Sequence, residues 1–182
     1  MLLSLTARLI AVPEHAWPRL TAACASGEPL PSPMGHAAGV AAISVVATTI
    51  GAAMATGASV ASVVLVMLLG VVAYVGAAAA AVTFGPKVVI AKGQSASELA
   101  RFASAAVLPL AASGIFNVVP FALLGLACGL LGAALTAWSA HVGASAMLGL
   151  EGPARRSAAA AITAVGLAPV LLGSLLRIVL GR

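Results

Sequence analysis

Charge is scarce in this chain. Its 182 residues hold nine Lys or Arg and four acidic residues, all of them glutamate, so charged groups make up 7% of the sequence. An ordinary soluble domain carries ~25%. A soluble fold of this length needs a polar surface, and these residues are too few to build one. Soluble enzymes, nucleic-acid modules and disordered tails are excluded on that ground. Cysteine is sparse too. Cys24 and Cys128 form no CxxC and no zinc pattern with the three histidines. A disulfide framework and a metal knuckle are therefore not expected, and both cysteines read as free thiols. No HExxH, no GxSxG elbow and no paired aspartate occurs, so intramembrane metalloproteases and aspartyl proteases lack their parts. Lys92-Gly93 lacks the glycines and the hydroxyl of a phosphate-binding loop. No cofactor and no metal is implied.

What the chain has in abundance is apolar residues, 62% of the total, in long uncharged runs. Residues 29–86, between Glu28 and Lys87, are 58 positions without a charge. A bilayer crossing takes ~20 helical residues, so this run holds two crossings and a turn. Residues 102–150, between Arg101 and Glu151, are 49 more and hold another two. Residues 157–176, between Arg156 and Arg177, are 20 and hold one. A charge at mid-membrane costs ~2.5–3.5 kcal/mol on insertion scales, which makes gaps of this length meaningful. β-Barrel strands would alternate polar and apolar residues, and these runs do not.

The expected fold is all-α: a polytopic transmembrane bundle of five helices preceded by a short interfacial helix. Residues 1–33 form an N-terminal segment and 34–182 the five-helix domain. The punctuation places the spans at about 35–56, 60–84, 99–116, 121–144 and 157–179, the second stopping at Gly85-Pro86. Ser95 and Glu98 have capping-box spacing and start the third helix. Pro109 kinks that helix and frees a carbonyl, for which Ser113 is one candidate donor. The third span is expected inside the bundle. Pro169 is the corresponding kink in the fifth. Ala77–Ala81 implies either close packing or a thin, mobile helix.

Placement of the basic residues orients the chain. With the N-terminal segment on one side, that side collects Arg8, Arg19, Lys87, Lys92, Arg101, Arg155 and Arg156. The other side has Arg177 and Arg182. The positive-inside rule puts the seven in the cytoplasm, with the N-terminus in and the C-terminus out. Lys87, Lys92, Arg101, Arg155 and Arg156 read as topology anchors. Arg8 interrupts the first apolar stretch, which argues against a signal peptide. Pro13–Leu20 reads as an interfacial helix, with Trp17 at headgroup level and Arg19 reaching outward.

Apolar burial cannot hold helices together in lipid, so close backbone packing must contribute. Gly125, Gly129, Gly132, Thr136, Ser139 and Gly143 recur every three or four positions on the fourth span and form one smooth stripe. They are the expected helix-packing face, with homo-oligomerisation as a sharper alternative. His141 is expected as a neutral imidazole hydrogen-bonded to a carbonyl or hydroxyl on a neighbouring helix, or at the outer interface. The hydroxyls Ser44, Thr48, Thr49, Ser104, Thr136, Ser145 and Thr163 are expected to back-bond within their own helices. A Ser113–His141 hydrolase pair has nothing in the sequence to bring it together.

The order of features resembles the Yip domain family, five-pass membrane proteins whose eukaryotic members are linked to Rab GTPases. The resemblance runs from about Pro13 to Val179. It is carried by Pro13, Trp17 and Leu20, by Ile50-Gly51 in the first span, by Pro109-Leu110 through Ser113-Gly114 to Pro120, and by Gly143 ahead of Arg155 and Arg156. It implies five helices, a cytoplasmic N-terminus and a non-enzymatic role. The N-terminal segment is shorter than the partner-binding tail of the eukaryotic proteins. The expected partners are the lipid bilayer and another membrane or peripheral protein, in a bacterial inner membrane. A small transporter or channel subunit is the alternative, motivated by Pro109, Pro169 and the in-span hydroxyls.

Overall fold

The structure, a computed structural model, describes residues 2–55, 57–89, 93–119 and 122–180. Among these residues every regular element is helical. Lys92, Thr56, Pro120, Phe121 and Arg182, on which sequence expectations rest, lie outside the described residues.

Two short helices come first, α1 (Leu2–Ala11) and α2 (Pro13–Ala25). The first span is α3 (Pro33–Met54), started by Pro33 and by Ser32, whose Oγ accepts from Gly35 N at 3.1 Å. The second is α4 (Val60–Gly70), a π-turn (Val71–Val75) and α5 (Gly76–Val88). Gly57 turns the chain between these two spans at φ +77°. The third span is broken into α6 (Ala96–Ala106), α7 (Leu108–Ser113) and a 3-10 turn (Gly114–Val118). The fourth is α8 (Ala122–Ala146) and the fifth α9 (Gly152–Leu180). All five spans are long and apolar enough to cross a membrane.

The boundaries differ from expectation at three places. Pro86 does not stop the second span, because a proline two residues from a helix end forfeits a single ladder bond and α5 runs on to Val88. Arg155 and Arg156 stand in the first turns of α9 and not in a loop. The N-terminal segment forms two helices where one was expected. Ser95 and Glu98 do form the expected capping box: Ser95 Oγ accepts from Glu98 N at 3.2 Å, and Glu98 Oε2 accepts from Ser95 N at 2.7 Å.

The third span is the axis of the bundle. Its most apolar stretch is 72% buried, against 22–39% for the other four. Helices α3, α5 and α8 pack around it, and α9 closes the ring against α5 and α8. The core divides in two. At the basic end, Leu9, Trp17, Leu20, Phe102, Leu108 and Ile162 pack together, so α1 and α2 form a wall of the core. Further along, the centre is filled by small residues, Ala37, Ala41, Ala73, Ala77, Ala78 and Ala111 among them. Ala77, Ala78 and Ala81 are fully buried, which resolves the alanine run as close packing. Ile43, Val46, Ile50, Leu130, Leu172 and Leu175 face outward, as a lipid-facing surface requires.

Candidate functional site

The polar groups of the bundle gather where the third span breaks. Pro109 stands in the first turn of α7 and has no N–H to give. Leu110 N does not pair along its own helix; it donates to Thr136 Oγ1 of α8 at 3.1 Å. Thr136 is fully buried and acts across helices, not within its own as the sequence suggested. Ser113 Oγ donates to Leu110 O at 2.8 Å, so it does not serve the carbonyl that Pro109 frees, the Ala105 oxygen one turn back. From α3, Ser44 Oγ donates to Ala111 O. Thr48 Oγ1 donates to Ser44 O at 2.8 Å, with Gly114 O a second acceptor at 3.4 Å.

Asn117 joins three spans. Its Nδ2 donates to Thr48 Oγ1 at 3.3 Å and to the Tyr74 hydroxyl at 2.7 Å. Tyr74 sits in the π-turn of the second span, where the extra residue redirects a side chain inward. Glycines make room for this network. A Cβ on Gly51 would collide with the Asn117 carbonyl, one on Gly125 with Asn117 Oδ1, and one on Gly114 with the Tyr74 ring. Asn117 is 8% exposed, and no buried polar side-chain atom among the described residues lacks a partner. Sequence reasoning passed over Tyr74 and read Asn117 only as the start of a turn that runs to Pro120. The available signal was their singularity: they are the only tyrosine and the only asparagine of the chain, set in apolar surroundings where polar groups are expensive.

The stripe on α8 is used unevenly. Gly125 receives Asn117, Gly132 receives Ser113 with its Cβ 2.7 Å from a built Cβ, and Gly143 receives the Trp17 ring at 2.5 Å. Gly129 has nothing within 4 Å and takes no part in packing, which corrects its expected role. The stripe is thus a seam for the third span along one part and for α2 along another. Trp17 is also corrected. It is fully buried and does not face headgroups. Its Nε1 donates to Ser139 Oγ at 3.1 Å, and its ring lies 5.6 Å from that of Phe102 at 42°. Thr21 Oγ1 donates to Trp17 O at 3.0 Å and reaches Ala146 O at 3.4 Å, tying α2 to the end of α8. Helix α9 is continuous through Pro169, whose ring packs on Gly76 beside the π-turn.

The described topology anchors share one end. Lys87 is exposed, its ammonium 5.4 Å from the centre of the Phe84 ring. Arg155 Nε donates to His141 O at 2.7 Å, while Arg156 is exposed. His141 stands nine residues beyond Gly132, about 13 Å along the helix axis. Ser113 packs on Gly132, so the structure does not pair Ser113 with His141. Arg101 is half-buried in a cleft of about 370 Å³ at this basic end, shared with Cys24, Glu28, Leu30, Glu98 and Met147. Burial raises the Cys24 thiol pKa; Arg101 opposes this and Glu98 reinforces it. Both cysteines are free.

Chemically, the arrangement around Asn117 is a set of hydroxyls, one amide and main-chain carbonyls spent on joining helices. Among the described residues no group of three or more His, Cys, Asp or Glu side chains is placed to hold a metal ion. Set against known proteins, the chain matches no family model, no curated protein and no solved structure.

Proposed function

We propose that this integral membrane protein is a Yip-like scaffold, membrane organiser or accessory subunit of non-enzymatic role. One observation carries the reading. The buried polar side chains of the described bundle are hydrogen-bonded, and the network at the break joins span to span. Such a network rigidifies a bundle and specifies its packing. The centre it braces is filled with alanine, valine and leucine. A rigid body with a greasy exterior and a basic end suits a platform for another membrane or peripheral protein.

The reading includes an orientation in a bacterial inner membrane. The end that carries Arg8, Arg19, Lys87, Arg101, Arg155 and Arg156 faces the cytoplasm, and the end that carries Gly57 and Arg177 faces outward. With Cys24 and Cys128 replaced by serine, a cysteine at Gly57 should label from outside intact cells with an impermeant reagent, and one at Gln94 should not. Labelling of Gln94 alone inverts the orientation.

The role is tested by purification in mild detergent. The expected result is a stoichiometric protein partner and no solute flux after reconstitution into liposomes. A lone monomer that conducts or transports rejects it. The alternative, a small transporter or channel subunit, is favoured by one feature: a helix broken mid-span beside a π-turn, the kind of interruption that lines substrate paths. Flux abolished by Asn117→Leu would establish that alternative.

A further inference from the structure

The cleft at the basic end has opposite charges that are not paired with each other. Arg101 projects from the second turn of the third span, and Glu28 from the end of α2; both line the cleft. Neither forms an ion pair or a side-chain hydrogen bond among the described residues. Glu98, the second carboxylate, has its Oε2 engaged by Ser95 N and Ser95 Oγ, both at 2.7 Å. Both side chains are partly exposed, so a group that enters the cleft can reach each of them.

The walls of the cleft are fixed by helix caps. Helix α2 ends in a Schellman motif. Gly27 takes φ +69°, and Glu28 N donates to Ala23 O at 3.1 Å, which fixes the chain where Glu28 leaves the helix. Helix α6 begins with its capping box, one turn before Arg101. Thr21 ties α2 to the end of α8, from which Met147 reaches the cleft. Three helix ends therefore meet at the cleft. A volume near 370 Å³ falls within the range of small-molecule sites, about 300–1,000 Å³.

Its depth identifies the ligand. The first and third apolar spans begin here, at Pro33 and Ala96, and the fourth ends, at Ala146. In a bilayer this is the level of the headgroups. Leu30 and Met147 add an apolar wall beside the charged one. A ligand with a phosphate, a primary ammonium and an apolar tail has a counterpart for Arg101, Glu28 and the Leu30–Met147 wall.

We propose that this cleft binds the headgroup of an amine-bearing phospholipid, with the phosphate on Arg101 and the primary ammonium on Glu28. The guanidinium fork suits phosphate oxygens. The carboxylate accepts hydrogen bonds from a primary ammonium and receives none from a quaternary one. The site therefore prefers phosphatidylethanolamine to phosphatidylcholine. Phosphatidylglycerol supplies the phosphate and leaves Glu28 unmatched. This requires only that the five spans lie in a bilayer, and it stands or falls separately from the scaffold role.

The test uses the full chain, delipidated in detergent, with short-chain phosphatidylethanolamine, phosphatidylcholine, phosphatidylglycerol and free phosphoethanolamine as probes. Binding is read by native mass spectrometry. Protection of Cys24 from maleimide is read by peptide mass, which separates it from Cys128, and is expressed against the same variant without probe. The expected result is binding of phosphatidylethanolamine about tenfold tighter than phosphatidylcholine, the scale of a charge-assisted hydrogen bond. Arg101→Gln should weaken all three lipids. Glu28→Gln should erase the difference between ethanolamine and choline while keeping the weaker binding. Arg156→Gln, on an exposed residue outside the cleft, should change nothing. Equal affinity for all three lipids overturns the proposal, as does tightest binding of phosphatidylglycerol. Phosphoethanolamine binding as tightly as the lipid also overturns it, because the ligand is then a soluble phosphoamine.

Discussion

The indole Nε1 of Trp17 donates to Ser139 Oγ at 3.1 Å, a bond between residues 122 positions apart that fastens α2 to the fourth span. Gly143 lies one turn further along α8 and gives the ring its space. Trp17→Ala should cost about 3–5 kcal/mol, the usual loss for a buried aromatic. Ser139→Ala keeps the packing, leaves the indole N–H unpaired and should cost about 1–3 kcal/mol. Thermal unfolding in detergent measures both. An unchanged midpoint for Trp17→Ala would put the ring at the lipid surface and not in the core.

The glycines of the bundle should separate into two classes on substitution. Gly51→Ala and Gly132→Ala drive a methyl into the Asn117 carbonyl and the Ser113 side chain and should lose about 1–3 kcal/mol. Gly129→Ala meets open space and should be neutral or gain up to about 1 kcal/mol from helix propensity. The same thermal series decides it. Equal losses at Gly129 and Gly132 would contradict the seam.

Thr136 and Thr163 are both in-span threonines with different work. Thr163 Oγ1 donates to Ala159 O one turn back on its own helix, whereas Thr136 Oγ1 receives the Leu110 amide across the break. Thr136→Val should therefore destabilise by about 1–3 kcal/mol, the cost of an orphaned buried donor. Thr163→Val should stay within about 0.5 kcal/mol. A double-mutant cycle on Tyr74→Phe and Asn117→Ala should give a coupling of about 0.6 kcal/mol or more, the average for hydrogen bonds between membrane helices.

Cys24 supplies a pH-dependent readout. Its thiol pKa is raised, chiefly by burial, so at a given pH it holds less thiolate than an exposed cysteine. Its alkylation rate should rise with pH later than that of a free cysteine. Arg101→Gln removes the opposing cation and should displace the profile further upward; Glu98→Gln should displace it downward. Rate–pH profiles of maleimide labelling, resolved by peptide, test this. A profile that matches free cysteine would mean the thiol is fully solvated.

Five spans were legible because exclusion of charge from lipid is a local rule. Each stretch free of Lys, Arg and Glu declares itself without reference to any other part of the chain. The same holds for Ser95 and Glu98, whose capping box closes within four residues, and for the gathering of basic residues at one end. The glycine stripe was legible as a face and not as a set of contacts. Gly125, Gly132 and Gly143 each meet a partner and Gly129 meets none, although all four share the same helical register.

What the sequence determined by itself, then, is the all-helical class, the five spans and the charged end, since each follows from short-range periodicity and from the cost of placing ions in hydrocarbon. Only the tertiary structure decided that Trp17 turns inward to Ser139, that Asn117 closes a network with Tyr74 and Thr48, and that Thr136 completes the broken third span. Those outcomes depend on which distant group offers a hydrogen bond or leaves a gap. That pairing comes into being only when the helices pack, and no window of adjacent residues contains it.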